Sequence, residues 1–210
     1  MKTGVPTIFL VDDDAGVRTG LMRVLREEGW IVRTFESAEA FQGCSDRSQA
    51  DCLVLDVQMP GLDGLELQRR LAEDGATTPI VFLTGHGDIP MTVQAIKAGA
   101  IDFLTKPVPS PTLVAAIRSA LDLAARRQRA DVEVADLRQR VASLTPRERE
   151  VLAGLVAGKL NKQIAADLGV VEQTVKFHRG RIMERMQVNT TAELMHVAAR
   201  AGFEAAHHRR

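Results

Sequence analysis

No apolar run in this chain approaches the roughly 20 residues that a helix needs to span a bilayer, so the sequence argues against a membrane protein. The opening Met1-Lys2-Thr3-Gly4 lacks the long apolar segment of a secretory leader, and a cytoplasmic location is expected. Cysteine is scarce. Cys44 and Cys52 make no disulfide framework and read as reduced thiols, Cys52 as a small core residue. Net charge is absent as well, with 27 Lys and Arg against 27 Asp and Glu. That balance hides a division. Up to Ala125 there are 11 basic and 17 acidic residues, a charge of −6; from Arg126 onward there are 16 and 10, a charge of +6. An acidic half and a basic half suggest two domains with different partners, the basic one facing an anion such as nucleic acid.

What is present starts with Cys52–Met59, whose first half is short, apolar and fit to be a strand buried on both faces. It ends in Asp56, and Pro60-Gly61 and later Gly64 mark a turn. A carboxylate beside a dry core is costly unless it has a task. Parallel sheets place their ligands just beyond the carboxyl ends of strands, where Asp56 falls.

The pattern repeats along the chain. Strands are expected at Thr7–Val11, Ile31–Phe35, Asp51–Asp56, Pro79–Leu83 and Ile101–Leu104. Between and after them, amphipathic spacing predicts helices at Ala15–Glu28, Ser37–Gln42, Leu65–Glu73, Met91–Ala98 and Thr112–Ala125. Five strands alternating with helices imply a doubly wound parallel sheet. Asp12, Asp13 and Asp56, the hydroxyl of Thr84 and the ammonium of Lys106 then converge on one rim. Three clustered carboxylates repel one another without a cation, and hard oxygen ligands suit Mg²⁺. A metal, an ammonium and a hydroxyl around one carboxylate are what phosphoryl transfer to Asp56 requires.

This rim resembles the receiver domain of bacterial response regulators. The matching pieces are Val11-Asp12-Asp13-Asp14, Leu55-Asp56-Val57-Gln58-Met59-Pro60-Gly61, Leu83-Thr84-Gly85-His86 and Lys106-Pro107. The resemblance implies that Asp56 accepts phosphate from a sensor histidine kinase. It implies Mg²⁺ held directly by Asp13 and Asp56 and by the Gln58 carbonyl, with Asp12 acting through water. By the same resemblance Thr84 and Lys106 hold the phosphoryl group, Phe103 is the switch aromatic, and the Lys106–Pro107 bond is cis. Two enzyme readings fit less well. A haloacid-dehalogenase-type phosphatase wants Asp-x-Asp-x-Thr, and here Ala15 and Gly16 follow Asp14. A dinucleotide fold wants a third glycine that Gly85-His86-Gly87-Asp88-Ile89-Pro90 lacks. The chain is therefore not expected to be an enzyme.

Beyond Ala125, a charged run with Arg126, Arg127 and Arg129 leads into a stripe of Val134, Leu137, Val141 and Leu144. That stripe is either a coiled seam between two chains or a helix packed on its own protein. Residues 1–125 thus form the receiver, 126–142 a helical linker and 143–210 an all-α four-helix tail. Thr145-Pro146-Arg147-Glu148 and Thr190-Thr191-Ala192-Glu193 are capping boxes, and Gly158 and Gly169 end helices. A second tail helix is expected at Lys162–Leu168 and a third from about Glu172 to Met186. Two short helices about Gly169 have the layout of a helix-turn-helix. On the third helix Val175, Ile182 and Met186 face inward. Gln173, Lys176, Phe177, Gly180 and Arg181 face outward, Arg179 and Met183 lie on the border, and His178 is half-buried.

Leu144–Leu152, Asn161-Lys162-Gln163-Ile164-Ala165 and Thr174-Val175-Lys176-Phe177-His178-Arg179 resemble a LuxR-type DNA-binding domain. The whole chain is similar to FixJ- and NarL-type regulators, and its Gly85–Pro90 segment to the FixJ branch with its StyR-like members. The resemblance implies double-stranded promoter DNA as partner, read by Gln173, Lys176, Phe177, Arg179 and Arg181. It further implies a homodimer on phosphorylation, contact with RNA polymerase and an activator's role. Two residues depart from the pattern. Val171 stands where a capping Ser is common, and Gly180 sits inside the recognition helix, where glycine costs roughly 1 kcal/mol.

Overall fold

Asp56 closes a strand that is buried along its whole length, Cys52–Asp56. In the computed structural model of the protein, which describes residues 4–85, 93 and 95–203, that strand lies at the centre of a parallel sheet. The strands are β1 (Thr7–Val11), β2 (Ile31–Phe35), β3 (Cys52–Asp56), β4 (Ile80–Thr84) and β5 (Asp102–Thr105), in spatial order β2-β1-β3-β4-β5. The order reverses at β1, so the crevice at the carboxyl ends of β1 and β3 is the topological switch point. Helices α1 (Ala15–Glu27), α2 (Ala38–Gln42) and α3 (Gly64–Glu73) follow the first three strands. The helix expected at Met91–Ala98 falls partly outside the described residues. Val93 and Ala95–Lys97 are helical. Residues 86–90 also lie outside them.

Alternation along the strands sends successive side chains to opposite faces. Phe9, Leu53, Leu55 and Phe82 pack toward Phe41 and Leu67 on one side. Ile8, Leu10, Val54, Val81 and Leu83 pack toward Leu25, Leu113 and Ile117 on the other. Burying each large side chain contributes about 1.5–3 kcal/mol, so the rim stands on a well-filled core.

The helix expected at Thr112–Ala125 is longer at both ends. It is α4 (Ser110–Ala142), a single element of 33 residues that takes in the whole stretch 126–142. The charged run does not interrupt it, because no Gly or Pro occurs from Thr112 to Thr145 and Arg, Ala and Leu are good helix formers.

The chain divides into two compact units, Met1–Arg127 and Gln128–Arg210. In the second, α5 (Pro146–Val156), α6 (Asn161–Leu168), α7 (Glu172–Met186) and α8 (Thr191–Arg200) enclose Val151, Leu152, Ile164, Val175, Ile182 and Leu194. Leu137, Val141 and Leu144 belong to the same core, so that part of the stripe packs on its own chain. Both capping boxes form, at Thr145 with Glu148 and at Thr190 with Glu193. Gly169 ends α6 in the left-handed conformation, φ 65°. Val171 gives α7 no side-chain cap bond, and its carbonyl accepts from the Thr174 N–H at 3.0 Å instead.

Candidate functional site

The carboxyl ends of β1, β3 and β5 bring Asp12, Asp13, Asp56 and Lys106 together. Carboxylate oxygens of the three aspartates lie within 4.8 Å of one another. Asp12 is fully buried, Asp56 is 4% exposed, and Asp13 opens to solvent. Lys106 Nζ stands 2.6 Å from Asp12 Oδ2 and 2.7 Å from Asp56 Oδ2. It donates a well-directed hydrogen bond to Asp56. It also pairs with the buried Asp12 Oδ2.

Each group is held from its own element. Arg18 of α1 donates to the Asp12 carbonyl at 2.7 Å, and the Asp14 N–H donates to Asp12 Oδ1 at 3.0 Å. Asp14 itself caps α1, accepting from the Gly16 and Val17 N–H groups at 2.7 and 3.0 Å, which hold its carboxyl below the usual range. The Gln58 N–H donates to Asp56 Oδ1 at 3.2 Å. The Lys106 N–H donates to the Thr84 carbonyl at 2.7 Å, tying the lysine to the end of β4. Lys106–Pro107 is cis, as the resemblance implied.

Burial pushes the Asp56 carboxyl up, and Asp12 adds to this; Lys106 opposes it, and the net direction is upward. For Lys106, burial favours the neutral form, but the two carboxylates outweigh it and raise its value. Three carboxylates and one ammonium leave two negative charges uncompensated. All the carboxylate donors are hard oxygens, and those of Asp12 and Asp56 are buried or nearly so. Such a set fits a small divalent cation.

Thr84 is buried at the end of β4 and pairs in register with Thr105. Phe103 is half-buried beside Phe82 two pairs back along that register, their rings 6.0 Å apart. Thr84 was expected just past a strand ending at Leu83; it is the last residue of β4, which begins at Ile80 and not Pro79.

Two positions escape a reading of charge and spacing. Gly64 opens α3 so close to β3 that a Cβ there would lie 2.3 Å from the Asp56 carbonyl oxygen. Glu39 of α2 accepts from the Leu62 N–H at 2.9 Å and so braces the turn after Asp56. Gly64 showed itself in the sequence only as a turn marker, and Glu39 gave no signal.

In the second unit Val175, Ile182 and Met186 are buried, while Gln173, Lys176, Phe177 and Arg181 of α7 are exposed. The Arg181 guanidinium lies over the Phe177 ring at 5.6 Å, and Lys176 pairs with Glu172 at 3.1 Å. Arg179 is half-buried and its guanidinium donates to the Thr191 hydroxyl of α8, so it is engaged within the protein. No helix among the described residues is long and apolar enough to cross a membrane.

A doubly wound sheet with this acidic rim, followed by a helix-turn-helix unit, defines a receiver joined to a DNA-binding domain. Comparison with known proteins says the same. Residues 8–118 match the family described as "Response regulator receiver domain", and residues 142–198 match "Bacterial regulatory proteins, luxR family". The "Response regulator protein TodT" of Pseudomonas putida is 44% identical over 200 residues, covering 95% of this chain and 88% of that protein. The "Transcriptional regulatory protein FixJ" of Bradyrhizobium diazoefficiens is 42% identical over 196 residues, covering 93% and 96%. The solved structure of response regulator StyR is 47% identical with a TM-score of 0.79, covering 93% of this chain and 99% of that one. The chain belongs to the two-component response regulators of the FixJ/NarL type, a family of DNA-binding transcription regulators and not of enzymes. Its receiver carries an acidic pocket of the kind in which receivers bind Mg²⁺.

Proposed function

We propose that Asp56 accepts a phosphoryl group from the phosphohistidine of a sensor kinase and that this switches the second unit as an activator of transcription. The observation that carries the reading is a nearly buried carboxylate at a strand end with Lys106 Nζ at 2.7 Å and two further carboxylates beside it. An Asp56 oxygen attacks phosphorus in line, the P–N bond breaks, and the kinase imidazole leaves. Lys106 holds positive charge toward the equatorial oxygens, and the Thr84 hydroxyl donates to one of them. Asp13, Asp56 and the Gln58 carbonyl would hold Mg²⁺, and Asp12 would support it through water. Bound there, Mg²⁺ supplies charge compensation for the incoming phosphoryl group.

Drawing Thr84 toward phosphate opens space beside it, which Phe103 follows. Two receivers then pair, and a homodimer places two α7 helices about one turn of DNA apart. Gln173, Lys176, Phe177 and Arg181 meet base edges and phosphates of double-stranded promoter DNA, Phe177 suiting a thymine methyl. Arg179, held by Thr191, orients α7 and reaches phosphate at its border. The dimer works in the cytoplasm and recruits RNA polymerase.

Treatment with acetyl phosphate and Mg²⁺ followed by intact-mass measurement tests the site. The wild type is expected to gain one phosphate and Asp56→Asn none. Mg²⁺-dependent uptake by Asp56→Asn refutes the assignment.

A further inference from the structure

The apolar stripe of α4 does not stop where the first unit's core ends. Leu113, Ala116, Ala120, Leu123, Arg127, Ala130, Val134, Leu137 and Val141 recur at alternating three- and four-residue steps, a heptad register whose one polar member is Arg127, and Leu144 continues it just past the helix. Its beginning, through Ala120, is buried in the first unit's core and its end, from Leu137, in the second's. Between them Leu123 and Val134 are half-exposed and Arg127 and Ala130 exposed, and every residue from Ala125 to Glu133 faces solvent. This part of the stripe has the spacing of a seam and, among the described residues, faces solvent.

The flanking charges identify the occupant. With Arg127 and Val134 at a positions and Leu123 and Ala130 at d, Arg126 and Glu133 fall at g, and Asp131 and Arg138 at e. In a parallel, in-register pair each g residue faces the e residue five positions on in the partner. Arg126 then faces Asp131 and Glu133 faces Arg138, opposite charges both times, and twofold symmetry doubles each pair. An antiparallel pair sets g against g and e against e, so Arg126 and Asp131 do not meet. Among the described residues Arg126, Asp131 and Arg138 make no ion pair within the chain, while Glu133 reaches Arg200 at 2.8 Å. Arg127 at an a position favours two strands over more, at a cost in stability.

We infer that the exposed middle of α4, Leu123–Val134, is a short parallel coiled-coil seam for a second copy of this chain. This rests on the dimer proposed above. At 1.5 Å per residue the seam is only about 16 Å long. With one arginine in its core it is too weak to hold two chains alone. It closes when receiver pairing brings the two helices together, and it aligns the two copies in parallel.

A charge swap tests it in the full chain, with acetyl phosphate and Mg²⁺ and with dimerisation read by sedimentation velocity. Arg126→Glu and Asp131→Arg, each alone, are expected to weaken the dimer on the order of tenfold, each turning two attractions into repulsions. The double variant Arg126→Glu/Asp131→Arg is expected to return to within about threefold of wild type. As a second reading, Ala130→Cys should form an interchain disulfide under mild oxidation far faster than Gln128→Cys, which points off the seam. A wild type that dimerises while the swaps have no effect, or a double variant as weak as the singles, overturns the seam alone. A wild type that stays monomeric overturns the proposed dimer and the seam with it.

Discussion

Lys106 is the only cation in contact with the buried carboxylates of Asp12 and Asp56 among the described residues. Removing it leaves two negative charges facing each other in a poorly solvated rim. Lys106→Ala is expected to destabilise the receiver by on the order of 2–3 kcal/mol in EDTA. Saturating Mg²⁺ should recover much of that loss, because a divalent cation meets the same oxygens. Thermal melts of both proteins with and without Mg²⁺ check this; an equal loss in the two conditions counts against a shared cation site. Gly64 makes a second residue-scale case. Its missing side chain admits the Asp56 carbonyl oxygen to 2.3 Å of where a Cβ would stand. Gly64→Ala must push α3 off β3, at about 1–3 kcal/mol, and slow phosphate uptake by displacing Asp56. Normal stability together with normal uptake speaks against that packing role.

At the scale of elements, α5 depends on Glu148. The side chain is 4% exposed and accepts from the Thr145 N–H at 2.9 Å, while Arg185 of α7 lies 3.4 Å away. Burial pushes its carboxyl up, but the Thr145 bonds and the Arg185 charge outweigh burial and leave it below its ordinary 4.5. A depressed folded value means that the stabilisation is full above the unfolded value and is lost as pH falls through the folded one. Glu148→Gln should therefore melt below wild type at pH 7, by about 1 kcal/mol, and the gap should close on acidification below about pH 4.5. Helical melts by circular dichroism read this directly, and a gap that widens in acid contradicts it.

The elements also show why some of this was legible in the sequence. Asp12, Asp56 and Lys106 each follow a short apolar run, and a parallel sheet has no choice but to gather its strand ends on one rim. Both capping boxes are local patterns, and both formed as written. The misplaced features involve a partner distant in sequence or the lack of a breaker. The helix expected to end at Ala125 runs on through Arg126 to Arg129, because helices tolerate arginine and nothing there stops α4. Thr84 joins β4 because Thr105 pairs with it across the sheet. The bond from Arg179 to Thr191 and the contact of Gly64 with the Asp56 carbonyl need tertiary distances that no spacing rule supplies.

For the whole molecule, the charge division agrees with the proposed partners. The cation and phosphate chemistry proposed for Asp56 lies in the acidic half, and the exposed Lys176 and Arg181, proposed to meet a polyanion, lie in the basic half. A single helix-turn-helix binds weakly, and coupling two of them raises avidity by about 10²–10⁴ where geometry lets both engage. In the proposed mechanism, phosphate at Asp56 sets this coupling. The direct test is binding of the full chain to a duplex selected from a random library, with and without acetyl phosphate and Mg²⁺, for wild type and Asp56→Asn. Wild-type affinity should rise at least about tenfold with phosphodonor, and that of Asp56→Asn should not change. Equal affinity of the wild type in both states, or the same rise in Asp56→Asn, contradicts the account.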